Sequence, residues 1–327
     1  MNEPTRIMTA RFALLASALL LGSLGAAQAQ DLPKATLVLN WFPEPEAGGF
    51  YAAVADGLYK AKGLDLTILP GGPSVNGTSL MAAGRVQFAE LDAAAVLFAR
   101  DQGIPALGVF ATFQTFPQGL MYHSEKPLKS FADLAGRQVA VSPGAQYWEY
   151  IVSKYKLDGK VQVVNYNGQL ADWLRDKNRV TQNYVTSEPF FARKSGAAPR
   201  SLLIADSGYN PYGNLVSTTE SYLKDNPKLV KAFVEATQEG WKRYLATPAK
   251  YDAVMIAANK DLTPDYLAFS AKAQKPLIAT GDALKYGLGY MSADRWNTLL
   301  GQMTDLKLFK TKLEASAAFD MSQFPKK

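Results

Sequence analysis

Residues 36–69 read TLVLNWFPEPEAGGFYAAVADGLYKAKGLDLTIL, and this stretch contains the pattern that predicts the fold class. Its two ends, TLVLNW and GLDLTIL, are short apolar runs typical of buried strands. Between them, Phe50, Val54 and Leu58 lie four residues apart on one face of a predicted helix that ends at Gly63. A strand, a helix and a strand at this spacing indicate two parallel neighbours in an α/β sheet.

The same alternation continues to about residue 205, and a helical tail without predicted strands follows from Pro227. Because the tail needs an existing sheet to pack on, we expect the chain to build one α/β unit and then cross into a second. It would later return to the first unit, with crossings near 121–125 and 212–217. The predicted domains are 30–121 with 217–327, and 122–216. The predicted fold is α/β with two lobes, two mostly parallel sheets flanked by helices, and a cleft between them.

The first 29 residues have the features of a secretory signal peptide. Arg6 and Arg11 precede the apolar run 12–27, and the small-x-small triplet Ala-Gln-Ala stands at 27–29. The run is shorter than the roughly 20 residues that a membrane span needs. A lipid anchor on a mature N-terminal cysteine is excluded because the chain contains no Cys. We therefore expect a periplasmic protein of 327 − 29 = 298 residues that is not a lipoprotein.

The exported form is expected to begin directly after Ala29. N-terminal sequencing of protein recovered from outside the cytoplasmic membrane checks this prediction. A membrane-bound form that still begins at Met1 would contradict it.

The composition excludes several classes of site. With no Cys, the chain has no disulfide scaffold, Cys-ligated metal or thiol mechanism, and its one His, His123, excludes a His cluster. The formal net charge is +6 and the basic residues are scattered, which does not indicate a nucleic-acid partner. We expect no metal, no cofactor, no catalytic residues and a monomer.

Several motifs stand in a recognisable order along the chain. They are LNWFPEPEAGGFYAA at 39–53, GLYKAKGLDL at 57–66, AGRVQF at 83–88, FADLAGRQVAV at 131–141 and VTSEP at 185–189. With these motifs the chain resembles the periplasmic substrate-binding proteins of ABC importers that group with thiamine-pyrimidine, alkanesulfonate and taurine binders. The resemblance implies a two-lobed, non-enzymatic protein that clamps a small molecule and delivers it to an ABC permease in the inner membrane. It also implies a polar ligand contact at Glu188.

The candidate ligand contacts lie in loops where predicted strands end, because open α/β sheets bind ligands at the carboxyl ends of their strands. In the first unit they are Asn40, Trp41, Phe42, Glu44, Gly71, Gly72, Asp92 and Gln114. In the second unit and near the return crossing they are Ser142, Gly144, Tyr147, Trp148, Glu188, Tyr209, Tyr212 and Asn214. Tyr147 and Trp148 are neighbours, so one of them is expected to face the cleft. Asp92 and Glu188 could instead cap the helices that follow them.

The residue types in these loops favour one class of ligand. Aromatic rings and the acids Glu44, Asp92 and Glu188 are frequent, whereas Arg and Lys are nearly absent. Rings stack on rings, and carboxylates accept hydrogen bonds from N–H groups. The pattern therefore indicates a flat heterocycle that bears amino groups, such as an aminopyrimidine thiamine precursor or a flavin-, purine- or pyridine-like compound.

Alternatives remain at this point. A sulfonate-, taurine- or nitrate-type anion would require a basic residue in the cleft, and the candidates are Arg85, Arg100, Arg137 and Arg175. Fungal pyrimidine synthases are related to the same family, and this relationship implies a second alternative, an enzyme with a lysine-bound pyridoxal cofactor and an active-site His. The single His123 and the absence of Cys disfavour such an enzyme. The sequence leaves open the ligand's identity, the state of the empty cleft, and transport as against a chemosensory role.

Overall fold

The strands form two separate sheets rather than one. The computed structural model describes residues 31–325, which contain ten strands and thirteen α-helices. The strands are β1 Lys34–Val38, β2 Asp65–Leu69, β3 Phe88–Leu91, β4 Ala106–Phe113, β5 Gln118–His123, β6 Gln138–Val141, β7 Gln162–Asn165, β8 Arg179–Tyr184, β9 Pro199–Leu203 and β10 Gly213–Thr219. The predicted signal peptide lies outside the described residues.

The helices surround these sheets and include a long helical tail. They are α1 Gly48–Ala55, α2 Leu58–Ala61, α3 Gly77–Ala82, α4 Ala93–Asp101, α5 Gln146–Tyr155, α6 Ala171–Arg175, α7 Glu188–Lys194, α8 Glu220–Asp225, α9 Pro227–Ala246, α10 Asp252–Ala258, α11 Pro264–Ile278, α12 Asp282–Tyr286 and α13 Ala293–Asp305. A short 3-10 helix, Pro45–Ala47, precedes α1.

Both sheets have five strands and a mixed topology. The first sheet has the order β2-β1-β3-β10-β4, with β10 antiparallel to its neighbours β3 and β4. The second has the order β7-β6-β8-β5-β9, with β5 antiparallel to β8 and β9. The remaining pairs, β1 with β2 and β3, and β6 with β7 and β8, are parallel, as the strand–helix alternation predicts. The predicted α/β class is therefore confirmed.

The two crossings differ from the prediction. The predicted boundaries at 121/122 and 216/217 fall inside β5 and β10, because the chain leaves the first sheet at Phe113 and returns to it at Gly213. The segments that join the sheets are 114–117 and 204–212. Sequence patterns missed β5 and β10 because QGLMYH and GNLVSTT contain glycine and polar residues without clear alternation. The division into two lobes stays a prediction.

The helical tail packs on the first sheet, as expected. Phe233 of α9 stacks on Phe88 of β3 with ring centroids 3.9 Å apart. Helix α9 also lies close to α1, where a Cβ on Gly49 would come within 2.2 Å of the Trp241 ring. This close contact holds α1, and with it the preceding loop 39–47, in one position against the sheet.

The helix predicted to contain Phe50, Val54 and Leu58 and to end at Gly63 is interrupted. Gly57 adopts a left-handed conformation with φ of 68°, which ends α1 and starts α2. Gly63 also has a positive φ, in agreement with its predicted role in ending the helix. His123 has a structural environment: it is buried, stacks on Trp173 at 3.6 Å, and its Nε2 lies 2.7 Å from the Trp173 carbonyl oxygen.

Candidate functional site

A cavity of about 510 Å³ is lined by residues from both sheets. The part of the lining that belongs to the first sheet consists of the loop after β1, the 3-10 helix, the end of β3 and the start of β10. From the second sheet come β8, the loop 166–170 and the start of α7. The site follows from the topology, because β1, β3 and β8 end at the cavity and the loops after parallel strands share one edge of a sheet. Its volume lies within the range of about 300–1,000 Å³ usual for small-molecule sites.

Six of the predicted ligand contacts line this cavity: Asn40, Trp41, Phe42, Glu44, Glu188 and Asn214. Trp41 and Phe42 are 42% and 49% exposed, and their rings meet edge to face with centroids 5.4 Å apart. Phe191 is 41% exposed and also lines the cavity. It belongs to α7, the helix that follows β8 of the second sheet. Exposed aromatic rings on both sides suit a flat ligand that stacks between them.

Four other predicted contacts line a smaller neighbouring cavity of about 160 Å³: Asp92, Ser142, Tyr147 and Tyr209. Gln118, Gln182 and Tyr184 line both cavities and stand between them. The Tyr147 hydroxyl donates to Gln182 Oε1 at 2.8 Å. Tyr147 and Trp148 both belong to one buried apolar cluster, and of the two Tyr147 is the one that lines this cavity.

The remaining predicted contacts line neither cavity: Gly71, Gly72, Gln114, Gly144, Trp148 and Tyr212. A Cβ on Gly71 would lie 2.1 Å from the Leu39 carbonyl oxygen, so this glycine allows two loops to pass each other. Gln114 is buried and donates to the Tyr290 carbonyl at 2.9 Å. The Tyr212 ring lies 4.0 Å from the Arg295 guanidinium. Gly71, Gln114 and Tyr212 are therefore used in contacts within the protein rather than at the cavity.

Asp92 caps α4, which is the alternative that its position predicted. Its Oδ1 accepts from the backbone N–H of Ala95 at 2.7 Å. We expect Asp92→Ala to lower the free energy of unfolding by about 1 kcal/mol, the usual effect of losing an N-cap. Asp92→Asn retains an accepting oxygen and should lose less. Urea unfolding checks both values, and equal stability of wild type and Asp92→Ala would contradict the prediction.

Four carboxyl groups line the large cavity: Glu44, Glu46, Glu90 and Glu188. Burial, together with the neighbouring Glu46 and Glu188 charges, raises the pKa of Glu44 to about 8. Burial likewise raises the pKa of Glu90 to about 7. It also raises the pKa of Glu46 and of Glu188. Carboxyl groups held together away from water favour ligands that bring N–H donors or positive charge.

Hydrogen bonds hold these carboxyl groups in place. Glu188 Oε1 accepts from the Tyr166 hydroxyl at 2.7 Å, and its Oε2 accepts from the Tyr184 N–H at 2.8 Å. Glu44 Oε2 lies 3.4 Å from the Tyr266 hydroxyl, which also contacts Ser187. The site is therefore built before a ligand arrives.

Sequence reasoning missed several residues of the cavity: Glu46, Glu90, Gln118, Tyr166, Gln182, Asn183, Tyr184 and Phe191. Glu46 had a usable signal, because it lies two residues after Glu44 in the same motif. Glu90 had one as well, since a carboxylate at the end of the buried strand β3 needs an explanation.

The large cavity is lined without a basic side chain: among the described residues that form its wall, none is lysine or arginine. The four candidate arginines lie elsewhere. Arg100 pairs with Glu220 and Arg175 with Asp172. Arg137 donates to the Lys126 carbonyl, and Arg85 is exposed. The charge of the site therefore matches a donor-rich or cationic ligand better than a strong anion.

Within residues 31–325, no helix is both long and apolar enough to cross a membrane. The same residues contain no group of three or more His, Cys, Asp or Glu side chains placed to hold a metal ion.

The family model described as NMT1/THI5 like matches residues 44–251, which is more than half of the chain. The chain belongs to the NMT1/THI5-like family. The matched range runs from Glu44 to Tyr251 and contains the acidic residues of the cavity and α7. This finding confirms the family resemblance that the sequence motifs predict.

Two relatives of this NMT1/THI5-like chain are named for heterocyclic ligands. The riboflavin-binding protein RibY of Chloroflexus aurantiacus is 27% identical over 300 residues, which cover 88% of this chain and 85% of the relative. A formylaminopyrimidine-binding protein of Halalkalibacterium halodurans is 24% identical over 260 residues, which cover 76% of this chain and 78% of the relative.

A solved structure shows the fold. The periplasmic aliphatic sulphonate binding protein SsuA of Escherichia coli superposes with a TM-score of 0.68 at 13% identity. The superposition covers 90% of this chain and 94% of SsuA. This NMT1/THI5-like protein therefore has the periplasmic-binding-protein fold, as predicted.

Proposed function

We propose that this protein is an extracytoplasmic substrate-binding protein that delivers a flat, amine-bearing heterocycle to an ABC-type importer. The observation that carries the proposal is the lining of the large cavity, where four carboxyl groups and exposed aromatic rings occur without lysine or arginine. A ring can stack on Trp41, Phe42 or Phe191 while its N–H groups donate to the acids. An aminopyrimidine or a larger flavin-like compound fits this description.

The relatives support the same ligand class, since one is named for riboflavin and the other for formylaminopyrimidine. Both are named as binding proteins, which supports binding rather than catalysis for this chain. Import also requires a permease, so we propose an ABC permease in the inner membrane as the partner of a monomeric protein.

A ligand screen tests the proposal. Native mass spectrometry of the purified protein identifies what co-purifies with it, and thermal shifts compare 2,4-diaminopyrimidine, riboflavin and taurine. We expect one of the two heterocycles to raise the melting temperature and taurine to leave it unchanged. A shift with taurine alone would favour the sulfonate-type alternative and would contradict the proposed ligand class.

A further inference from the structure

Two buried oxygen atoms at the large cavity have no hydrogen-bond partner among residues 31–325. They are Glu46 Oε2 and Asn214 Oδ1, and their residues are 5% and 3% exposed. Both residues line the cavity. A buried acceptor without a partner loses its hydrogen bonds to water without replacement, so such atoms are rare in folded proteins.

The position of Glu46 is fixed by its other oxygen. Glu46 Oε1 accepts from the Thr186 hydroxyl, which follows β8 in the second sheet, and lies 3.4 Å from Ser270 Oγ of α11. With Oε1 occupied, Oε2 is the acceptor left for a group inside the cavity. Glu46 is also close enough to Glu44, Glu90 and Glu188 to raise the pKa of each.

Asn214 is held in a similar way. Its amide nitrogen donates to Glu90 Oε1 at 3.0 Å, which leaves Oδ1 as the free end of the side chain. Its backbone adopts φ of 45°, in the left-handed region that few residues other than glycine occupy. Asparagine tolerates this conformation better than most residues, and such strained positions concentrate at binding sites.

Two fixed acceptors in one acidic cavity need hydrogen-bond donors, and the described residues that line the cavity include no lysine or arginine to supply them. We propose that Glu46 and Asn214 form the specificity-determining floor of the cavity, which takes the N–H edge of the ligand: an amino group beside a ring N–H or a protonated ring nitrogen. This inference rests on the proposed function and names the part of the ligand that is recognised.

Asn183 of β8 supplies a complementary group. Its Nδ2 is buried and has no hydrogen-bond partner within the described part of the chain, and the residue lines the same cavity from the second sheet. Its Oδ1 lies 3.4 Å from Ser201 Oγ, which leaves Nδ2 to donate. A ligand that carries an acceptor, such as a carbonyl oxygen or an unprotonated ring nitrogen, beside its N–H edge would satisfy all three atoms.

The test compares two probes of nearly equal size, 2,4-diaminopyrimidine and 2,4-dimethylpyrimidine, in which methyl groups replace the amino groups. Dissociation constants are measured by calorimetry or ligand-observed NMR. We expect wild type to prefer the diamine at least tenfold, because a site built to pair N–H groups rejects an analogue that lacks them. Glu46→Gln should reduce that preference about tenfold or more.

Asn214→Gly is the second variant. Glycine adopts the observed φ without strain, so the variant is expected to fold while it removes the acceptor. Glu314→Gln is the matched control, since the Glu314 side chain is 71% exposed and does not line the cavity. Its preference for the diamine should equal that of wild type.

The preference between the probes, not affinity alone, is the readout, because a damaged fold would weaken both probes equally. Equal binding of the two probes by wild type, or an unchanged preference in both Glu46→Gln and Asn214→Gly, would overturn this inference and leave the proposed function standing. Failure of wild type to bind 2,4-diaminopyrimidine, 2,4-dimethylpyrimidine or riboflavin would overturn both.

Discussion

Replacing Glu188 by glutamine is expected to weaken binding of an amine-bearing heterocycle about tenfold to a hundredfold. Glu188 lines the cavity and is the first residue of α7. A hydrogen bond to a charged group contributes roughly 1.5 to 3 kcal/mol net, and each 1.4 kcal/mol is about a tenfold change in the dissociation constant. Calorimetric titration measures the effect directly.

The substitution should leave the fold intact. The glutamine oxygen can keep the hydrogen bond from the Tyr184 N–H, which can only donate. The new amide nitrogen then faces the Tyr166 hydroxyl, which can rotate and accept. Glu314→Gln, at an exposed site, controls for the loss of one negative charge. An unchanged dissociation constant with a lowered melting temperature would assign Glu188 a purely structural role at the start of α7.

Trp41→Ala provides an independent comparison. The exposed Trp41 ring should contribute stacking of about 0.5 to 1.5 kcal/mol in addition to the apolar area that a ligand covers. The charge at Glu188 and the ring at Trp41 act on different parts of a ligand. Their effects should therefore add in the double variant, provided that the two sites do not contact each other.

The sequence predicted the site best where a polar or aromatic residue directly follows a parallel strand. Asn40, Trp41, Phe42 and Glu44 follow β1, and all four line the cavity. The rule behind the prediction is topological, since parallel strands end at one edge. It places a loop near the ligand without stating which way each side chain points. Gly71 and Gln114 follow strands too, yet they serve packing.

This rule predicts contacts only in the loops that follow strands, so it does not identify cavity residues that lie within a strand. Glu90, Gln182 and Asn183 lie on β3 and β8, and they reach the cavity because strand register turns their side chains toward it. Register depends on pairing between distant segments, such as Val216 of β10 opposite Glu90. A single sequence without that pairing does not reveal that a buried glutamate and Asn214 will meet.

The free energy of unfolding of the empty protein is expected to fall by a few kcal/mol as the pH rises from about 4.5 to 8. Burial raises the pKa of Glu90 to about 7 and that of Glu44 to about 8, from an ordinary value of 4.5. A carboxyl group with a higher pKa in the folded state binds more protons there than in the unfolded state. Its contribution is fully present below pH 4.5 and is lost as the pH rises through the folded pKa.

Each pKa unit corresponds to about 1.36 kcal/mol, so Glu90 alone accounts for about 3 kcal/mol. Urea unfolding at several pH values between 5 and 8 measures the slope. Glu90→Gln should make the slope shallower, since the amide keeps the shape of the side chain and does not titrate, while Glu44 still contributes. Glu314→Gln should keep the wild-type slope. A wild-type stability that is constant or rises over this range would contradict the prediction.

Binding of a cation should show the opposite pH dependence, because the protons that stabilise the empty cavity compete with the ligand for the same oxygens. Benzamidine is a suitable probe, since its aromatic amidinium stays charged across this range and its N–H groups can donate to the acids. Its affinity should rise between pH 6 and 8, by up to about tenfold per pH unit for each proton displaced. Calorimetry in buffers of different ionisation enthalpy would detect those released protons. An affinity that is constant or falls over this range would mean that the acids at the cavity do not pair with the ligand.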